Sequence, residues 1–303
     1  MKDVIIIGGG PAGLSAALNL LRAGRSVLIL EKENFGGQIA NSPRVENLPS
    51  IKEVSGADFA SQFFDQVTAL GADFELEEVV EIKKEGNIFK IKTNYNNYES
   101  KAVVIATGVK HRKFNIPNEA ELEGKGISFC AVCDGAFYKD EDVCLVGDAN
   151  TALQYVLLLS NYCKHVYLYT LFDKFFADKI LVDRVKTKQN VIIKHCKSLK
   201  EIIGKDKLEK LVFTDTKTKK DEELTVKGLF IAIGQVPQND LFKDIVDLNK
   251  GFIVVNNKME TKTPGLFAVG DCTDKNMRQV VTAVNDGSIA AFFINYYLEN
   301  KGK

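Results

Sequence analysis

The chain of 303 residues has no excess of either charge: forty basic residues balance forty acidic ones. That balance removes nucleic acid and an anionic membrane surface as principal partners, because both are bound through surplus lysine and arginine. No apolar run approaches the ~20 residues that a spanning helix needs. Met1 leads straight into the apolar segment Val4–Ile7, without the basic, apolar and small-residue regions of a secretory leader, so a cytoplasmic protein is expected. There is no cysteine framework either. Of six cysteines only Cys130 and Cys133 form a spaced unit, and neither a second such pair nor a spaced histidine pair completes a zinc site. Cys144, Cys163, Cys196 and Cys272 stand singly and read as small buried hydrophobes.

What is present is a duplication. With an offset of 139 and no gap, VIIIGGGPAGLSAALNLLRAGRSVLILE (Val4–Glu31) lies over VCLVGDANTALQYVLLLSNYCKHVYLYT (Val143–Thr170). Each copy reads as buried strand, tight turn, helix and buried strand. Two such βαβ units predict an α/β protein of two Rossmann-like, dinucleotide-binding-type domains. Strand-then-glycine endings recur at Ala102–Gly108, Gly228–Gly234 and Gly265–Asp271. Glycine and proline breaks at Lys113–Pro117 and Gly234–Asn239 predict that 114–239 is inserted into a discontinuous domain of 1–113 and 240–303. Alternating segments at Glu77–Ala106 and about Ile192–Leu224 predict a small antiparallel meander in each domain.

The first copy carries an intact Gly-x-Gly-x-x-Gly in Gly8-Gly9-Gly10-Pro11-Ala12-Gly13, after a strand and before a helix. Gly8 permits the turn, Gly10 admits a pyrophosphate and Gly13 lets helix pack on strand. The helix N-terminus favours the anion, and Glu31 closes the second strand where a ribose is recognised. The second copy is broken at two of these positions: Ala152 in place of Gly13 is tolerable, but Ala149 in place of Gly10 obstructs the close backbone approach, and Asp148 adds a negative charge beside the phosphate position. Tyr169–Phe176 offers no arginine and only Asp173 as an acid, although Lys174 leaves open an unusual mode of nicotinamide nucleotide binding.

Phe129-Cys130-Ala131-Val132-Cys133-Asp134-Gly135 lies near the start of the insert. Two cysteines at this spacing can form a small redox-active disulfide, and the neighbouring Asp134 can exchange a proton as it opens. With these motifs in hand, the chain resembles the low-molecular-weight thioredoxin reductases. It shares with them GGGPAG, GGQ (Gly36–Gln38), ENLP (Glu46–Pro49), ATG (Ala106–Gly108), CAVCDG (Cys130–Gly135) and GDCTDKNMRQVVTA (Gly270–Ala283). The resemblance implies FAD in the first domain, held by the Gly8–Gly13 turn and Glu31. It puts Gly37, Gln38, Asn47, the Ala106-Thr107-Gly108 turn, Gly270-Asp271 and Arg278-Gln279-Val280 around the rest of the flavin. It also implies Cys133 facing the flavin, Cys130 attacking thioredoxin, Asp134 as the acid, and a homodimer.

The departures fall on one function. Where NADPH-using members carry a glycine-rich turn and arginines, this chain has Gly147-Asp148-Ala149-Asn150-Thr151-Ala152 and Tyr169–Phe176. That pattern looks like the ferredoxin-dependent flavin thioredoxin reductases, closer than the ordinary NADPH-dependent enzyme. Lysines 186, 188, 194, 197, 200, 205, 207 and 210 offer a docking face for an acidic donor. A non-catalytic redox-sensing flavoprotein is the competing class. The retention of Cys130, Cys133 and Asp134 argues against it.

Overall fold

The computed structural model describes residues 1–41, 45 and 48–300, with the backbone alone at 133. Two units emerge, Met1–Lys110 with Val236–Lys303, and His111–Gln235. The junctions fall a few residues before the positions expected from glycine and proline. Arg112 already donates its backbone N–H to the Gly234 carbonyl within the second unit, and Lys113 pairs with Glu123 there. Asn239 is buried in the first unit, where its amide donates to the carbonyls of Gly251 and Cys272 at 2.9 Å each.

The first unit is a seven-stranded sheet. Strands Asp73–Leu76, Val27–Glu31, Lys2–Ile7 and Asn97–Ile105 run parallel in that order, and Leu266–Ala268 adds a further parallel partner to Asn97–Ile105. The strand Asn97–Ile105 does two jobs, and its sequence shows why. Its first half alternates exposed and buried positions and joins the meander with Ile88–Thr93 and Val79–Glu85. Its second half, AVVI, is buried on both faces between parallel neighbours. The opening helix Pro11–Arg22 and the terminal helix Val280–Asn300 cover one face, where Val4, Ile6, Leu14, Leu20, Val104 and Ile294 meet.

In the second unit, strands Val191–Lys194, His165–Tyr169, Asp142–Val146, Gly228–Ile231 and Ile127–Ser128 form a parallel sheet. Helix Asn150–Leu159 packs its apolar residues against it. The antiparallel meander is Lys197–Gly204, Leu208–Asp215 and Asp221–Leu224. It begins later than expected, because Val191–Lys194 extends the parallel sheet instead: its β-branched side chains suit a partly buried edge beside His165–Tyr169. No helix among the described residues is long and apolar enough to cross a membrane.

Candidate active site

The two halves of the duplication are built on one hydrogen-bond frame. Gly8 N–H donates to the Leu30 carbonyl at 2.8 Å, and Gly147 N–H to Tyr169 at 3.2 Å. Ala106 donates to Ile7 and Ala232 to Val146, both at 2.8 Å. Gly36 donates to Gly9 at 2.8 Å, and Phe176 to Asp148 at 2.7 Å. Gly10 and Ala149 precede their helices with matching extended backbones, φ −79°, ψ −178° and φ −107°, ψ −179°. The frame is therefore shared, and the side chains on it differ.

In the first unit the three fingerprint glycines divide by role. Gly8 has φ +112°, and a Cβ there would sit 2.3 Å from the Ala106 carbonyl oxygen. A Cβ on Gly13 would meet the Gly8 carbonyl at 2.1 Å, so Gly13 is needed for helix Pro11–Arg22, with Ala12 in its first turn, to pack on the strand. Gly10 is different. Its backbone is open to any residue, and a Cβ would meet only the Gly37 Cα at 3.8 Å. Nothing in the protein requires glycine there, whereas a phosphate laid on the helix N-terminus does. Glu31 accepts from Gly9 N–H at 2.7 Å through one oxygen and from Lys32 and Glu33 N–H at 2.8 and 2.9 Å through the other. It fixes the loop, and a carboxylate's remaining lone pairs can still take a ribose hydroxyl.

The other expected cofactor residues converge in the same unit. Gly37 lies against Gly10, and Gln38 donates its amide to the Val109 carbonyl just past Gly108. Thr107 Oγ1 donates to Asn239 Oδ1 at 3.2 Å. Gly270, at φ +76°, donates its N–H to Asp286 Oδ2 at 3.0 Å, and Lys275 reaches the same oxygen at 2.7 Å. Next to it Asp271 Oδ1 is buried with no hydrogen-bond partner among the described residues. Burial pushes the Asp271 carboxyl up, against the pull of Lys275 and Arg278. An orphaned, desolvated acceptor suits the hydroxyls of a ribityl chain, so the residues present fit FAD. Arg278 lies over the Phe252 ring at 4.1 Å and donates to the carbonyls of Asp271 and Thr273, followed by Gln279 and by Val280 at the helix start. Asn47 lies outside the described residues.

In the second unit the same frame carries other groups. Ala149 puts a methyl where Gly10 is open, and Asp148 follows Gly147, with burial pushing its carboxyl up. Thr170, the counterpart of Glu31, is fully buried and donates to the Phe172 carbonyl at 2.6 Å, with His195 Nδ1 at 2.7 Å. Phe172 and Phe176 are about half exposed and pack edge-to-face at 5.3 Å, with Lys174 over Phe176. Lys194 and Lys197 pair with Glu222, Lys200 with Asp221 and Lys210 with Glu223, so much of the expected basic docking face is neutralised across the meander.

The redox motif also belongs to this unit. Cys130 is disulfide-bonded, whereas Cys144, Cys163, Cys196 and Cys272 are free and buried, with burial raising Cys144 well above the ordinary thiol range, Cys163 to about 12 and Cys272 to about 11. The Cys133 side chain lies outside the described atoms. Helix Ala131–Asp134 follows Cys130 at once, and Asp134 N–H donates to the Cys130 carbonyl at 3.0 Å. The Asp134 side chain is half-buried, and burial pushes its carboxyl up while a hydrogen bond from Ser128 opposes this. Val132, inside the motif, and Phe137, four residues after it, are exposed apolar residues. Sequence reasoning missed Ser128, Asn239 and Asp286. Only Asp286 left a trace, as an acid amid the small and apolar residues in the first half of the terminal helix.

A FAD-type turn in one unit, and in the other an altered copy of it together with the disulfide at Cys130, are the features of a flavin disulfide oxidoreductase. The chain belongs to the pyridine nucleotide-disulphide oxidoreductase family, whose pattern matches residues 2–287. It is 37% identical over 300 residues to the thioredoxin reductase of Bacillus subtilis, covering 98% of this chain and 95% of that protein. It is 38% identical over 301 residues to a 34.2 kDa protein in the rubredoxin operon of Clostridium pasteurianum, covering 99% and 98%. The thioredoxin reductase structure from Streptococcus pyogenes superposes with a TM-score of 0.85 at 35% identity, covering 99% of each chain. Within the family the chain is of the thioredoxin-reductase type, and its cofactor is FAD.

Proposed function

We propose that the chain is a thioredoxin reductase that draws its electrons from ferredoxin rather than from NADPH. In this reading Cys130 attacks the thioredoxin disulfide, Cys133 faces the flavin and resolves the mixed disulfide, and Asp134 supplies the proton that the departing sulfur takes. The bound flavin supplies one piece of chemistry, storing electrons delivered singly and releasing them as a pair. Gly8, Gly10, Gly13, Glu31, Gly37, Gln38, Asn47, Thr107, Asp271 and Arg278 hold that flavin. The exposed Val132 and Phe137 suit a protein disulfide as substrate. Exposed Phe292 and Tyr296, one turn apart on the terminal helix, suit a homodimer.

The observation that carries the donor reading is Ala149. It occupies, in the same backbone conformation, the place that Gly10 leaves empty, and Asp148 beside it repels a diphosphate. Loss of arginine at Tyr169–Phe176 removes charge-assisted bonds of about 1.5–3 kcal/mol each. The test is anaerobic mixing of oxidised enzyme with NADPH and, separately, with reduced ferredoxin, following flavin bleaching and thioredoxin thiols. Bleaching and turnover are expected with ferredoxin. Rapid bleaching by NADPH with efficient turnover would restore the ordinary NADPH-dependent reductase.

A further inference from the structure

We propose that Ser128 is the positioning residue for Asp134, its hydroxyl holding that carboxyl in both of its protonation states. This rests on the reading of Asp134 as proton donor given above. Ser128 is 4% exposed and closes the edge strand Ile127–Ser128, where it registers with Phe230 of the neighbouring strand. Its position is therefore set by the sheet rather than by the redox loop. Three polar groups surround its Oγ: Asp134 Oδ2 at 2.5 Å, the Cys130 N–H donating at 3.0 Å, and the Cys130 carbonyl at 3.3 Å.

A hydroxyl has one hydrogen to give and two lone pairs to fill. The Cys130 N–H can only donate and the Cys130 carbonyl can only accept, so Asp134 is the one neighbour able to do either. When Asp134 is ionised, the Ser128 hydrogen points to Oδ2. When Asp134 is protonated, its own O–H donates to the second lone pair of Oγ, and the Ser128 hydrogen turns to the Cys130 carbonyl. The set is satisfied both ways, and the change is one hydroxyl rotation without heavy-atom movement.

In turnover, the Cys130 thiolate forms a bond to one sulfur of the partner disulfide as that disulfide's own bond breaks. The released thiolate takes the Asp134 proton, and Ser128 turns onto the new carboxylate; the electron pair of the enzyme dithiol ends on the partner when the mixed disulfide is resolved. The other titratable groups around Asp134 do not compete. Tyr138, on the following turn, has a phenol pushed up by burial and then by Asp134 itself, and Tyr162, whose hydroxyl packs at Gly135, is pushed up to about 12 by burial. Among the described residues no lysine or arginine forms an ion pair with Asp134.

The test uses chemically reduced, FAD-loaded enzyme and oxidised thioredoxin, so that it does not depend on the physiological donor. Ser128→Ala removes a bond that favours the ionised form, so the alkaline limb of the rate profile moves to higher pH. The plateau falls about tenfold, part of the roughly 10²–10⁴ that a placed acid supplies. Ser128→Thr restores both, and Ser128→Val, of the same shape without the hydroxyl, does not; that pair decides the matter if Ser128→Ala fails to fold. In an Asp134→Asn background, removing the hydroxyl changes nothing further. A wild-type profile in Ser128→Ala or Ser128→Val, or an equal effect in the Asp134→Asn background, overturns the proposal. A wild-type profile in Asp134→Asn alone overturns the parent reading instead.

Discussion

At the scale of single residues, glycines that look alike in the sequence separate by what surrounds them. Gly10→Val should leave the apoprotein folded, because its Cβ meets no atom closer than 3.8 Å, yet abolish FAD binding by filling the pyrophosphate position. Gly13→Ala should do the reverse and lower the melting temperature of the apoprotein, since its Cβ would lie 2.1 Å from a carbonyl. Thermal melts of apoprotein together with flavin absorbance of the purified variants separate the two. Asp271 gives a prediction with opposite signs. Its folded carboxyl is raised, so the apoprotein loses stability as pH rises from the ordinary carboxylate value of 3.8 through the folded one. Asp271→Asn should therefore stabilise the apoprotein at pH 7 and not at pH 3. It should weaken FAD about 10–100-fold, the worth of one charge-assisted bond of ~1.5–3 kcal/mol. A variant that weakens both forms alike would assign Asp271 to the scaffold.

At the scale of elements, the contact between the opening and terminal helices supports the site. A Cβ on Gly287 would reach the Ala12 carbonyl oxygen at 2.3 Å, and Ser15 Oγ donates to the Val284 carbonyl at 2.6 Å. This close crossing holds Asp286 where it accepts from Gly270 N–H, beside Asp271. Gly287→Ala should cost about 1–3 kcal/mol by overpacking and also lower FAD affinity, measurable as a reduced melting temperature and flavin occupancy. None of this was legible in the sequence, because it depends on residues some 270 positions apart. What was legible was local. The βαβ units follow from buried β-branched runs and glycine turns, and the meander strands follow from alternation. Lys197–Gly204 and Asp221–Leu224 show where local reading stops: a run of lysines reads as a basic face until cross-strand neighbours bring Asp221, Glu222 and Glu223 against it.

For the whole molecule, the comparison that matters lies inside the chain. Both units orient the same backbone groups at the same turn, so backbone geometry alone does not decide which unit takes a nucleotide. That decision falls to Gly10 against Ala149, Gly9 against Asp148 and Glu31 against Thr170. The chain should hold about one FAD rather than two, read from flavin absorbance against protein. Hydrogen exchange then tests each half separately. A bound dinucleotide covers the amides at a helix N-terminus and slows their exchange, so FAD added to apoprotein should protect residues 8–14 and the turn at 270–273. NADPH, added to the holoprotein at millimolar concentration, should leave residues 147–153 exchanging as before, because the Ala149 methyl stands where Gly10 is open and the residue before it, Asp148, adds a negative charge. Substituting glycine for both Asp148 and Ala149 removes those two obstacles on an unchanged frame, and protection of 147–153 by NADPH should then become measurable. Protection of 147–153 by NADPH in the unaltered chain would mean that the frame itself suffices, and the ferredoxin reading would lose the observation that carries it.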